Sequence, residues 1–116
     1  DSKIKMNSRY TRQVLVNSLM TLTDCLKDNT EIKLEIIVEG DQLNFKFKVS
    51  SADITEPELP DNLFDSKTVY IAQENHWAKH SFDLQTARHI AQNQNGNLVV
   101  YKSDAEYIIN YSLKPA

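Results

Sequence analysis

Between Ser81 and Leu98 the chain reads S-F-D-L-Q-T-A-R-H-I-A-Q-N-Q-N-G-N-L. Leu84, Ala87, Ile90 and Ala91 recur at helical spacing, which predicts an amphipathic helix with one face buried. Ser81 is placed to cap its N-terminus, and Asp83 falls in the first turn, where a negative charge complements the unpaired amides. Gly96 follows the last periodic residue and predicts a left-handed helix stop. An apolar strand then begins at Leu98.

Outward from this stretch, Asn97 to Lys102 and Tyr107 to Leu113 predict a hairpin around the polar turn Ser103 to Glu106, with Tyr107, Ile109, Tyr111 and Leu113 on one face. Upstream, Ser8 is a candidate N-cap for a helix over Arg9 to Leu26. Leu15, Leu19, Leu22 and Leu26 predict its continuous buried stripe, while Asn17, Thr21 and Asp24 form a polar stripe beside it. Ile32, Leu34, Ile36 and Val38 alternate with Lys33, Glu35 and Ile37, and Leu43, Phe45, Phe47 and Val49 alternate with Asn44, Lys46 and Lys48. Both runs have the period of half-buried strands, and Gly40 marks the turn between them.

From Ser50 to Pro60 the composition turns to Ser, Asp, Glu and Pro, which predicts a loop. Leu63 and Phe64 are candidate anchors for its end, and Thr68 to Ala72 has the composition of a short strand. The polar segment Gln73 to His80 surrounds Trp77, read as a hydrophobic anchor.

The predicted fold is α+β, a two-layer sandwich. A mixed or antiparallel sheet of about four or five strands carries helices on one face and leaves the other face polar. At 116 residues the chain reads as one domain, 1–116. The start at Asp1 without a methionine leads to the expectation of a fragment of a larger protein. A net charge of −3 argues against nucleic acid and anionic membrane as partners. The single cysteine, Cys25, fits a reducing compartment and reads as a small core residue. No apolar run approaches the ~20 residues of a membrane span.

Phe82, Leu84, Arg88, Ile90, Gly96 and Leu98 fall, without a gap, in the slots of the second glycine box and following helix of the histidine-kinase catalytic domain. The chain therefore resembles the GHKL ATPase superfamily over Arg9 to Pro115. The two box glycines are replaced by Ser81 and Asp83. The resemblance implies ATP and magnesium as cofactors of a functional site, a histidine on a separate dimerisation domain as phosphoacceptor, and a response regulator as a further partner. In its terms the first helix is the box whose asparagines face nucleotide and magnesium. Gln13 holds the slot where some relatives carry a catalytic carboxylate, Asn17 matches the first asparagine, and Thr21 replaces the second. A threonine hydroxyl is a poorer inner ligand than an amide oxygen. The adenine-reading aspartate slot falls on Ser51, or with a small shift on Asp53.

Glycines in phosphate loops admit close approach of backbone to pyrophosphate. Asp83 instead puts a carboxylate beside the triphosphate position, a repulsion on the order of 4 kcal/mol at intermediate dielectric. Both glycines of the chain, Gly40 and Gly96, are assigned to turns. Asn17, Thr21, Asp53, Ser81 and Asp83 are thus the cofactor-binding candidates, and they belong to a degraded site with no cofactor expected bound. No catalytic residue is assigned. Glu74, His76 and His80 have a spacing that permits a metal on a helix, but a third strong ligand is not evident, and no metal site is assigned. His89 reads as a surface or edge residue. Two functional readings follow: a cytoplasmic sensor-kinase module with weak or no ATP binding that acts through neighbouring domains, or a working Mg-ATP domain that phosphorylates a histidine elsewhere. A third is an unrelated α+β binding module.

Overall fold

The computed structural model describes residues 8–26, 30–54, 77 and 80–114. The elements run α1 (Ser8–Cys25), β1 (Lys33–Glu39), β2 (Gln42–Ser50), a 3-10 turn (Ser51–Asp53), α2 (Ser81–Asn93), β3 (Gly96–Ser103) and β4 (Glu106–Leu113). The four strands form one sheet in the order β1-β2-β4-β3. Among the described residues every pairing is antiparallel, the second of the mixed and antiparallel alternatives. The candidate anchors Leu63 and Phe64, the strand expected over Thr68 to Ala72, and Glu74 and His76 lie outside the described residues.

Both hairpins form where the period-two pattern puts them. Gly40 and Asp41 make a two-residue turn closed by Glu39 and Gln42, with Gly40 at φ +61°. Asp104 takes the equivalent strained place in the second turn, at φ 53°, where a short polar side chain tolerates the left-handed region. Phe45, Phe47, Val49, Tyr107, Ile109, Tyr111, Leu113 and Leu98 turn one sheet face inward, against Val14, Leu22 and Cys25 of α1 and Leu84, Ala87 and Ala91 of α2. Each large side chain removed from water there contributes about 1.5–3 kcal/mol. Cys25 is buried as a small core residue. No described helix is long and apolar enough to cross a membrane.

Three local expectations are corrected. The α1 leucine stripe is not continuous: Leu22 is buried, Leu15 and Leu26 pack partly against the core, and Leu19 is 39% exposed. The buried face is instead Thr11, Val14, Asn17, Ser18, Thr21, Leu22 and Cys25. Its hydroxyls are buried because the helix satisfies them itself. Ser18 Oγ donates to the Val14 carbonyl and Thr21 Oγ1 to the Asn17 carbonyl, both at 2.9 Å, so little polar demand is left over.

The second correction concerns the ends of α2. It opens at Ser81 with His80 in the capping position, because the His80 carbonyl accepts the first intrahelical bond, from Leu84 N at 2.9 Å. At the other end the left-handed residue is Asn95, at φ 61°. Gly96 already belongs to β3, facing Leu113, and a Cβ built on it would sit 2.0 Å from the Ser112 carbonyl oxygen. The glycine serves close approach, not helix termination.

The third is the fate of β1. Leu34, Ile36 and Val38 lie across from Phe47, Phe45 and Leu43, on the core side of the sheet. The helices pack over β2, β3 and β4, and the three side chains remain 48%, 60% and 71% exposed. On the opposite sheet face the polar alternation holds. Gln42 and Asn110 amides donate to Asn44 Oδ1 at 2.8 and 3.4 Å, and Lys48 Nζ reaches Glu35 Oε1 at 3.1 Å, which holds the lysine above its ordinary pKa.

Tyr111 is fully buried and donates its phenol to Gln94 Oε1 at 2.5 Å. Burial pushes its pKa above the ordinary 10.0, with the Thr11 hydroxyl opposing. A raised folded-state value means that the unfolded chain loses this proton first as pH rises, so stability is full below pH ~10 and falls above it. Urea unfolding across this range is expected to show that decline, and Tyr111→Phe is expected to flatten its share of it.

Candidate functional site

Of the residues singled out by the resemblance, Asn17 and Asp83 meet along the seam between α1 and the first turn of α2. Helical spacing stacks Gln13, Asn17 and Thr21 on successive turns of α1. Asn17, 8% exposed, donates its Nδ2 to the Asp83 carbonyl at 3.1 Å. Its Oδ1 accepts from Gln13 Nε2 at 2.8 Å. The side chain is a fastener between two helices, with donor and acceptor both engaged. Thr21, completely buried, has spent its hydroxyl proton on the Asn17 carbonyl.

One turn further, Asp24 completes the polar stripe. His80 Nε2 lies 2.9 Å from Asp24 Oδ2; a carboxylate only accepts, so this nitrogen carries the proton. The other ring nitrogen, Nδ1, is 3.6 Å from Asp83 Oδ2. His80 thus stands between two carboxylates at the entry to α2, with 14% of its side chain exposed. Asp83 keeps its carboxylate half in solvent, where it complements the helix N-terminus. Of the five groups Asn17, Thr21, Asp24, His80 and Asp83, two are carboxylates and none is Lys or Arg. Among the described residues of the seam, a polyphosphate placed here would meet the carboxylates of Asp24 and Asp83.

Asp53 is not part of this cluster. It ends the 3-10 turn after β2, whose Ser51 N–H donates to the Ala105 carbonyl at 2.7 Å and whose Ser50 Oγ accepts from Ala52 N at 3.3 Å. The next residue, Ile54, bridges Leu26 beyond the C-terminal end of α1. Leu26 is nine residues from Asn17, roughly 13 Å along a helix axis. The segment read as an irregular loop from Ser50 therefore begins with a turn and a bridge. Of Ser81 the backbone alone is described, as the first residue of α2.

Among the described residues no cluster of three His, Cys, Asp or Glu side chains could hold a metal ion. His89 is exposed on α2, as the surface reading expects. Trp77 is completely buried and packs its ring 5.5 Å from that of Tyr107. Its carbonyl accepts from His80 N at 3.1 Å, which ties the anchor to the start of α2.

A feature that periodicity missed is a groove of about 520 Å³ on the outer side of α1, lined by Val16, Leu19, Met20, Thr23, Asp24 and His80. The signal for it lay in Val16 and Met20, apolar residues outside the predicted leucine stripe.

No family model matches the chain, and no curated protein matches it. Among solved structures it is similar to the histidine kinase AdeS of Acinetobacter baumannii, with TM-score 0.57 and 12% identity, over 92% of this chain and 46% of that one. It is also similar to a bacterial phosphotransferase, with TM-score 0.54 and 10% identity, over 88% of this chain and 48% of that one. The chain thus spans about half the length of these structures. At such identities the likeness is one of fold.

Proposed function

We propose that the chain is the ATPase-like module of a two-component sensor histidine kinase, with degraded nucleotide boxes and weak or no ATP binding. It occupies residues 1–116 as one domain of a larger, cytoplasmically oriented protein. Its role is regulatory, exerted on the neighbouring dimerisation and phosphoacceptor domain and through it on a response regulator. The likeness in fold to a histidine kinase and a phosphotransferase supports the general assignment.

The observation that carries the degraded reading is the engagement of Asn17. A magnesium ligand needs a free amide oxygen directed at the ion, whereas this amide binds Gln13 on one side and the Asp83 carbonyl on the other. To recruit magnesium the chain would have to give up the Gln13 bond to that oxygen, beside the Asp83 carboxylate.

Calorimetric titration with a non-hydrolysable ATP analogue and magnesium tests the reading. No heat of binding is expected up to millimolar ligand, while Asn17→Ala is expected to lower folding stability by about 1–2 kcal/mol. Micromolar binding abolished by Asn17→Ala, with stability unchanged, would establish the working Mg-ATP domain instead. The double variant Ser81→Gly with Asp83→Gly is expected to gain affinity, since it restores glycine to both slots of the second glycine box.

A further inference from the structure

We infer that β1 is the pairing edge for a second copy of this chain, joining two four-stranded sheets across a two-fold axis at Ile36. Among the described residues β1 pairs only with β2. In a two-residue hairpin the closing pair, here Glu39 and Gln42, exchanges hydrogen bonds, and bonded pairs then alternate along the ladder. The backbone N–H and C=O groups of Leu34, Ile36 and Val38 are therefore the ones directed at the open edge. Their side chains are the most exposed apolar row of the sheet. The strand K-L-E-I-I-V-E carries none of the devices that blunt an edge on that row: no proline, no bulge and no charge.

The sequence of β1 is complementary to itself. Antiparallel pairing centred on Ile36 sets Ile36 against its own copy, Leu34 against Val38 and Lys33 against Glu39. The bonded parity is correct, because all three apolar positions carry outward backbone groups. On the polar face Lys33 stands directly across from Lys48 within the chain, and the Lys48 ammonium is committed to Glu35 at 3.1 Å. Glu39 has only a 3.8 Å contact with Lys46 and is 61% exposed. Each copy thus offers an under-compensated lysine at one end of the strand and an exposed glutamate at the other, and the two-fold brings them together twice. A register centred on Leu34 would leave Val38 unpaired. A two-fold contact of this kind is closed, so it yields dimers and not fibres.

Sedimentation equilibrium on the intact 116-residue chain tests this. A weak dimer is expected, with a dissociation constant on the order of 10 µM for a contact this small. Lys33→Glu, which sets glutamate against Glu39 of the second copy, is expected to weaken it at least ~10-fold. The reversal Lys33→Glu with Glu39→Lys is expected to restore it. Ile36→Lys, with two ammonium groups at the axis, is expected to abolish it while circular dichroism shows the fold kept. A chain that stays monomeric to millimolar concentration overturns the inference and leaves the edge to a strand of another protein. A dimer indifferent to Ile36→Lys, or not rescued by the double reversal, overturns it as well.

Discussion

Gly96→Ala is expected to cost about 3 kcal/mol or more of folding stability, far beyond the ordinary effect of a glycine replacement at a helix end. The reason is geometric. The added methyl would stand 2.0 Å from the Ser112 carbonyl oxygen and 3.2 Å from that of Ala91. The first belongs to β4, the central partner of β3, and the second to α2, whose small Ala87 and Ala91 lie buried against the sheet. Neither backbone can retreat without opening the ladder or lifting the helix. The control is Asn95→Gly, which relieves a non-glycine residue at φ 61° and is expected to be neutral or to gain up to about 1 kcal/mol. Urea unfolding of both variants measures the contrast. If Gly96→Ala fell within 1 kcal/mol of the natural chain and Asn95→Gly cost more, the glycine would be a helix stop after all.

This contrast shows which part of the fold the residues declare and which they do not. The hairpins were legible because strand periodicity and turn chemistry act locally: Gly40 and Asp104 sit at turns whose flanking pairs follow directly from alternation. The rotation of α1 was not. A stripe of Asn17, Thr21 and Asp24 looks solvated until the helix is seen to satisfy its own hydroxyls and Asn17 to find a carbonyl 66 residues away. Periodicity cannot report a bond formed by tertiary contact. Nor can it tell how wide the helical layer is, so Leu34, Ile36 and Val38 read as buried when the layer ends before β1. Of the candidate residues, Asn17 bonds the Asp83 carbonyl and Thr21 the Asn17 carbonyl on its own helix, whereas Asp53 stands apart, one residue before the Ile54–Leu26 bridge. The Asp24–His80 pair was hidden, because those residues are 56 positions apart in the chain.

Trp77→Ala is expected to remove about 3–5 kcal/mol, a fall in Tm of roughly 10–20 °C for a domain of this size. The indole is the only one in the chain and is completely buried. It leans on Tyr107, whose ring also lies 5.4 Å from the Lys102 ammonium, and its carbonyl holds His80 N–H at the point where α2 begins. Losing the ring therefore leaves a cavity and loosens the entry of the helix that carries Asp83. The same variant bears on function. If the indole occupies space that a nucleotide would fill, a flat heterocycle should enter the vacated volume, and a ligand that binds only the folded state raises Tm by mass action. Free indole is expected to recover part of the lost stability. Mg-ADP is not, because its phosphates would still face the carboxylates of Asp83 and Asp24 without a Lys or Arg from the seam residues. Thermal melts of Trp77→Ala with each ligand separate these outcomes. Recovery by Mg-ADP at micromolar concentration would mean that a working nucleotide pocket lies beneath the tryptophan, and the degraded reading would fall with it.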